Sequence, residues 1–397
     1  MKKVVVAYSG GLDTSCIVKW LKDKYSVEVV CFSAFIGEVP DKNALKQKAI
    51  KCGASKAYIE DLKPEFAHDF ILPALWAHAR YEGKYPLATA LGRPLIAKHL
   101  VRIAQLEKAD AVVHGCTGKG NDQVRIEVGV RTLDPSLKII APLREWEFKT
   151  REEEIEYAKK HNLPVSATKA SPYSLDKNIW GIAIEAGVLE DAWKEPPQDA
   201  YVMTRAIDQT PKQAKYIEVE FDAGVPVKLN GTPYGLVDLI EKLNAIGGQY
   251  GVGRFDMIEN RLVGIKSREV YEAPAAEILL KAHEELESLV MDRDFYHYKR
   301  VLSERYAELV YFGLWFSPLK TALDAFFAAH QKRVTGVIRL KLDKGHAVIV
   351  GRKSKYSLYH EKLATYSKGD AFDHTQSAGF VKIWGLPYEG LDFKSKI

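Results

Sequence analysis

The spacing of apolar and polar residues changes character part-way along the chain. Over residues 1–165, short and nearly all-apolar runs alternate with stretches of helical period. Lys3–Tyr8, Val27–Ser33, Lys56–Glu60, Ala111–Gly115 and Lys138–Leu143 read as strands, and unbroken apolar runs suit strands covered on both faces. Ser15–Lys24, Lys42–Cys52, Pro64–Ala79, Pro94–Lys108 and Thr150–His161 read as helices, and Thr150 with Glu153 has capping-box spacing. Alternation on this scale predicts a doubly wound parallel sheet. Beyond Pro164 the pattern loosens, punctuated by Pro172, Pro196 and Pro197. Ile217–Phe221 and Val225–Leu229 alternate like antiparallel strands, and Asn230-Gly231 is a hairpin signal. Leu236–Ile246 reads as a helix stopped by Gly247-Gly248, and Val334–Leu342 with His346–Arg352 as a hairpin around Asp343-Lys344-Gly345. The last stretch looks irregular, spotted with Tyr366, Phe372, Phe380, Trp384 and Tyr388. The expected organisation is an α/β nucleotide-binding domain (1–165), an α+β domain (166–360) and a C-terminal oligomerisation tail (361–397).

Composition narrows the class without choosing a function. The 397 residues are 47% hydrophobic and 27% charged, as in ordinary globular proteins. No apolar run approaches the roughly 18 residues of a membrane span, and the short Val4–Ala7 run reads as a first strand, not a secretion signal. Cytoplasm is the expected location. Cys16, Cys31, Cys52 and Cys116 lack metal-ligand spacing and read as reduced, mostly buried thiols. A formal charge of +5 suits anionic small molecules and gives no reason to expect nucleic acid.

Chemistry first appears after the first strand, at Ala7-Tyr8-Ser9-Gly10-Gly11-Leu12-Asp13-Thr14-Ser15. Two glycines let the backbone approach an anion, three hydroxyls can donate to it, and the following helix turns its N–H groups toward it. No lysine follows the second glycine at Walker spacing. The loop resembles that of the ATP pyrophosphatases, which implies cleavage between the α- and β-phosphates, with Mg2+ on the phosphates. Asp13 beside phosphate suggests a role in orienting the loop or touching the metal.

A second concentration, His114-Gly115-Cys116-Thr117-Gly118-Lys119-Gly120-Asn121-Asp122-Gln123-Val124-Arg125, packs three glycines with Thr117, Lys119, Asn121, Asp122 and Arg125 between a strand and a helix. If Asn121 opens that helix, Asn121 and Arg125 share a face at i, i+4.

Together with Tyr81-Glu82-Gly83, Arg93-Pro94-Leu95-Ile96-Ala97-Lys98, Pro172-Tyr173-Ser174, Ile258-Glu259-Asn260-Arg261, Lys266-Ser267-Arg268 and Ala307-Glu308-Leu309-Val310-Tyr311, in that order, these segments resemble the argininosuccinate synthetase family. The resemblance implies a ligase that joins L-citrulline to L-aspartate at the expense of ATP. A citrullyl-AMP intermediate would form, with release of pyrophosphate and AMP. It implies that Ala7, Tyr8, Ser9, Gly10, Gly11, Leu12, Asp13, Thr14, Ser15, Ala34 and Gly115 contact ATP, and that Thr117, Asn121 and Asp122 hold aspartate. Tyr85, Asn121, Arg125, Ser174, Glu259 and Tyr271 would hold citrulline, and Arg93, Asp122 and Ser174 would serve the reacting groups. It also implies a homotetramer whose C-terminal tail crosses between subunits, with no nucleic-acid or membrane partner.

The chain departs from the family's usual text at Phe35, Glu38, Ala90, Ala183 and Glu269. Two of these lack an expected hydroxyl, and Glu38 adds negative charge on the ATP side. Another ATP pyrophosphatase, such as a tRNA-thiolating enzyme or an amidotransferase-type synthetase, would need a cysteine pair, a basic RNA-binding patch or a glutaminase domain, and none is visible. A non-catalytic sensor of citrulline or nucleotide is the alternative of a different class.

Overall fold

The computed structural model describes residues 1–38, 41–148, 150–164, 173–389 and 391; Pro172 and the expected boundary between 165 and 166 lie outside them. Strands β1 (Lys3–Ala7), β2 (Glu28–Phe35), β3 (Lys56–Asp61), β4 (Ala111–Val113) and β5 (Lys138–Ile140) form a parallel sheet in the order β3-β2-β1-β4-β5. Along β1, Val4 and Val6 belong to one apolar core and Val5 to another. The sheet is therefore buried on both faces, as its unbroken apolar runs require. Helices α1 (Leu12–Tyr25), α2 (Lys42–Lys51), α3 (Ala88–Glu107), α4 (Asn121–Leu133) and α5 (Arg151–Lys160) accompany it, and the expected Thr150–Glu153 capping box is formed. The strand order reverses between β1 and β4. Ligands bind open α/β sheets at such a switch point, beyond the carboxyl ends of the strands. Both polar loops of the sequence leave the sheet there.

The second half supplies two antiparallel sheets. One contains β6 (Ser174–Asn178), β7 (Gly181–Glu185), β11 (Arg254–Asn260) and β12 (Lys266–Glu272), ordered β11-β12-β7-β6. The other joins β8 (Lys215–Asp222), β9 (Val225–Leu229), β10 (Thr232–Pro233), β13 (Gly336–Asp343) and β14 (His346–Lys353), ordered β10-β9-β8-β13-β14. Asn230 and Gly231 both take positive φ (53° and 78°), the backbone of a two-residue hairpin turn. Helices α6 (Leu236–Gln249), α7 (Pro274–Val290), α8 (Arg293–Tyr311) and α9 (Pro318–Ala328) complete this half. One apolar core runs through both halves, from Phe32 and Leu95 to Trp180, Ile278 and Leu340.

Several expected boundaries move, each for a physical reason. Helix α1 begins at Leu12, not Ser15, so the last four loop residues form its first turn. Helix α3 begins at Ala88, with Pro94 inside it. Its N-cap, Leu87, lies in the left-handed region, and the Tyr85 hydroxyl accepts the Thr89 and Ala90 N–H groups at 3.0 and 3.3 Å. That is a tertiary cap that no local signal announces. The expected Pro64–Ala79 helix is broken into Lys63–Glu65, a π-turn over Phe66–Ile71 and Leu72–Trp76. Pro73 has no N–H to give the preceding turn, and the widened turn accommodates it. Gly247 and Gly248 do not stop α6 but form its last turn, where a Cβ on Gly247 would stand 2.9 Å from Pro274 Cβ. The tail is not wholly irregular: Gln376–Glu389 is a helix, α10, with Phe380, Ile383 and Trp384 at 63–70% exposure.

Candidate active site

Two adjoining cavities open at the switch point. The larger, about 490 Å³, is walled by both halves of the chain: Ser9, Arg93, Thr117, Asn121, Asp122 and Arg125 from the first, Ser174, Ala183, Glu259 and Tyr271 from the second. The smaller, about 250 Å³, is the more apolar slot, with Phe32, Ala34, Ile96 and Ile126 among its walls. Ser9, Arg93, Gly115 and Cys116 border both.

At the mouth of the slot the first loop is folded on itself. Ser9 Oγ lies 3.0 Å from Thr14 Oγ1 and accepts the Gly11 N–H at 3.2 Å, while Gly10 takes a φ of 80° that only glycine adopts freely. Gly11 caps α1 without a side chain, so the first-turn N–H groups of α1 carry no side-chain cap, the state in which a helix N-terminus can take an anion. Ala7, Tyr8, Ser9, Thr14, Ala34 and Gly115 border the cavities. Ser15 does not: it is fully buried, with its hydroxyl 3.2 Å from that of Tyr8. Gly10, Gly11, Leu12 and Asp13 lie in the loop and first turn without lining either space. Asp13 presses against Glu154 of α5; burial first, then the Asp13 charge, pushes the Glu154 carboxyl up to about 8.

Where the cavities meet, Arg93 Nη2 donates to Asp122 Oδ2 at 2.7 Å and also to Asp176. Asp122 in turn accepts from Arg125 Nη1 at 2.9 Å. Burial alone would raise the Asp122 carboxyl, yet the two guanidiniums pull it down to about 2. Asn121 opens α4, as the spacing predicts, and shares its buried face with Arg125. The Asn121 amide nitrogen donates to the Tyr311 hydroxyl at 2.8 Å, and its oxygen accepts the Leu262 N–H at 3.0 Å. Arg125 Nε donates to the Tyr311 carbonyl at 2.9 Å, with its guanidinium over the Tyr311 ring. Thr117 and Ser174 stand exposed at the rim.

On the far sheet, Tyr271 donates to Glu259 at 2.7 Å, and Tyr311 donates to the other Glu259 oxygen. Burial raises the Glu259 carboxyl and the two phenols oppose it. Tyr271 stacks on Tyr85 with centroids 4.0 Å apart. Ala90 and Ala183, where hydroxyls are missing, are both buried around this stack, and Ala183 lines the cavity. Glu38 is not an unbalanced charge: its carboxylate accepts from Lys177 of β6, which holds it below the usual range. Sequence reasoning assigned no role to Tyr311, Asp176, Arg261 or Glu269. Tyr311 and Arg261 stood in quoted motifs, which was their only signal.

Residues 3–164 match the family profile described as the arginosuccinate synthase N-terminal HUP domain, and residues 173–390 that of the arginosuccinate synthase C-terminal domain. The chain belongs to the argininosuccinate synthase family. The argininosuccinate synthase of Bacillus licheniformis is 56% identical over 387 residues, covering 97% of this chain and 95% of the relative. That of a Geobacillus strain (WCH70) is 57% identical over 386 residues, again 97% and 95%, and that of Bacillus subtilis is 55% identical over 387 residues with the same coverage. Among solved structures, a chain described as a predicted subunit of tRNA methyltransferase from Methanocaldococcus jannaschii aligns over 39% of this chain and 75% of its own. At 15% identity and a TM-score of 0.28 that likeness carries no argument. Among the described residues no helix is long and apolar enough to cross a membrane.

Proposed function

We propose that this chain ligates L-citrulline to L-aspartate, cleaving ATP to AMP and pyrophosphate through a citrullyl-AMP intermediate. The observation that carries the reading is the shared wall of the two cavities. Ser9, Arg93, Gly115 and Cys116 border both, so a nucleotide's phosphate end and an amino acid's reactive end meet there. The apolar slot suits adenine, and the Ser9–Ser15 loop suits the phosphates. Arg125 and Asn121 suit the citrulline carboxylate, and Glu259, backed by Tyr271, its ammonium. Thr117, Asn121 and Asp122 suit aspartate, and Ser174 and Tyr85 complete the citrulline side.

In the first step the ureido oxygen attacks the α-phosphorus and the bond to pyrophosphate breaks. Arg93 would steady the charge that develops, and the two cavities fix the line of attack. In the second, the aspartate amine attacks the ureido carbon and AMP leaves. Asp122, held near a pKa of about 2, is too weak a base to take the amine's proton. The departing phosphate or solvent takes it, and Asp122 serves as a fixed anion for the ammonium. Asp13, in the first turn of α1 after the loop, would hold Mg2+ travelling with the nucleotide, while its neighbour Glu154, raised to about 8 by burial and then by the Asp13 charge, keeps its proton near neutral pH and adds no charge there. When bound, Mg2+ would neutralise phosphate charge.

The decisive assay is pyrophosphate release with ATP and citrulline, with and without aspartate. Citrulline-stimulated release, and argininosuccinate once aspartate is added, is expected; a non-catalytic binding protein gives neither, and that result would sink the reading. The exposed Phe380, Ile383 and Trp384 of α10 support a homotetramer joined through the tail, and a division of the chain near residues 165 and 360 belongs to the same proposal.

A further inference from the structure

The loop between β4 and α4 carries Gly115 and Cys116, which border both cavities, and Thr117 and Gly120, which wall the larger one. Gln123 and Glu127 of α4, and Arg144 at the end of the turn after β5, line neither space. These three side chains form one network behind the loop's backbone. His114, buried just past β4, accepts the Cys116 N–H on Nδ1 at 3.2 Å and sets its Nε2 3.2 Å from Glu127 Oε1. An imidazole that accepts on Nδ1 carries its proton on Nε2, so His114 donates to Glu127. The His114 hydrogen bond first, and then the Arg144 charge, hold the Glu127 carboxyl below its usual range against burial. Arg144 Nη1 reaches Glu127 Oε1 at 2.8 Å and Gln123 Oε1 at 3.0 Å. Gln123 Nε2 then donates to the Gly118 carbonyl and, at 3.3 Å, to the Gly120 carbonyl. The second half adds a longer contact, Arg261 Nη1 to the Lys119 carbonyl at 3.4 Å.

The two ends of the loop are therefore held differently. On the nucleotide side it is packed: a Cβ on Gly115 would stand 3.2 Å from Ile17 and 3.5 Å from Thr14 of α1. On the amino-acid side it hangs on the Gln123 amide. Thr117 sits between the holds, with Cys116 tied to His114 before it and Gly118 tied to Gln123 after it. Asn121 and Asp122 have partners outside the network, in Tyr311, Leu262, Arg93 and Arg125. The chemistry also asks for an amide at position 123. Two carbonyls need a donor and a guanidinium needs an acceptor; one amide supplies both, a carboxylate only the second.

We infer that Gln123, backed by Arg144, Glu127 and His114, is a positioning residue for the second step, fixing the Thr117–Gly120 backbone where Thr117 meets aspartate. The inference rests on the ligase reading and adds to it residues that touch no substrate. His114 also borders the apolar slot, so the test is made at Gln123.

Gln123→Glu keeps an acceptor for Arg144 and loses the donor to the loop. Citrulline-dependent exchange of pyrophosphate into ATP, run without aspartate, reports the first step; argininosuccinate formation against aspartate concentration reports the second. In Gln123→Glu the KM for aspartate should rise roughly tenfold or more, with the exchange rate within about threefold of wild type. Gln123→Met, lacking donor and acceptor, should do at least the same. Amide hydrogen exchange without substrates should quicken in peptides spanning 115–120 and not in α1. A wild-type aspartate KM in Gln123→Glu overturns the inference, because a carboxylate that suffices serves Arg144 alone. Equal losses in both assays overturn it as a general loosening, and so does unchanged hydrogen exchange in the loop. If the wild type itself exchanges no pyrophosphate, the ligase reading has failed, and a quickened loop in Gln123→Glu still upholds the hold on the backbone. Should Gln123→Glu lack a native circular-dichroism melt, Arg144→Met, at the more exposed end of the network, carries the same comparison with a smaller rise.

Discussion

The Tyr311 hydroxyl takes a hydrogen bond from the Asn121 amide at 2.8 Å and gives its own proton to Glu259, so one phenol ties the nucleotide-side helix to the far sheet. The Tyr311 ring is held in turn by Tyr81, stacked 3.5 Å away, and by the Arg125 guanidinium above it. Tyr311→Phe keeps the packing and removes that link. Hydrogen bonds to charged groups contribute about 1.5–3 kcal/mol, so the KM for citrulline should rise roughly tenfold to a hundredfold. The KM for ATP should stay within about threefold, since the phenol touches nothing in the apolar slot. Equal losses for both substrates would show a general loosening of the fold instead.

Arg93 sits between Asp122 and Asp176 at the junction of the cavities. Arg93→Lys keeps a positive charge but loses the planar fork that reaches both carboxylates. Citrulline-dependent pyrophosphate release should slow by roughly a hundredfold or more, with a smaller effect on substrate KM values. The same rate in Arg93→Ala would remove Arg93 from the reacting centre altogether.

What could be read from the sequence was what depends on short range. Val4-Val5-Val6 announces a strand buried on both faces, and the glycine- and hydroxyl-rich segments at Ser9–Ser15 and Thr117–Arg125 lie where the strand order reverses. The start of α3 could not be read, because its cap is the hydroxyl of Tyr85 and the apparent start at Pro94 is an interior residue. Nor could the salt bridge from Arg261 to Glu185, across 76 positions that strand pairing folds together. Tyr311 waits on still longer reach, 190 residues from Asn121. Glu38 looked like an excess charge because its partner, Lys177, lies 139 residues away.

Helix α10 exposes Phe380, Ile383 and Trp384, side chains that a monomer has no reason to leave in water together. A chain ending at Asp373 should lose the larger assembly. Light scattering coupled to size exclusion should find a tetramer for the full chain and dimers or monomers for the truncated one. A truncated chain of unchanged mass would place the subunit contacts elsewhere.

The last prediction concerns charge buried far from the cavities. Glu287 and Lys299, both essentially inaccessible, form an ion pair, and Lys299 also donates to His78 Nδ1 at 3.1 Å. His78 Nε2 lies 2.8 Å from His283 Nδ1 and 3.1 Å from Glu287 Oε2, and His283 Nε2 lies 3.0 Å from the Gln331 amide oxygen, a chain that two neutral rings complete. Burial, then the Lys299 charge, lowers both imidazoles, His283 to about 3 and His78 well below its usual value. Burial raises Glu287 to about 7. As pH falls from about 7 to 4.5 the two unfolded imidazoles take up nearly two protons in all, while in the native state both stay neutral and Glu287, raised to about 7, takes up at most one. The unfolded state binds more, so stability from this group is lost as pH falls through that window. His283→Gln removes one of the two imidazole protons and should flatten the decline, measured as urea unfolding free energy at half-unit steps of pH. Lys299→Met leaves Glu287 without its cation and should cost about 3–5 kcal/mol at pH 8, less at pH 5, where Glu287 is protonated. A pH-independent penalty for Lys299→Met would mean that Lys299 contributes packing and not charge.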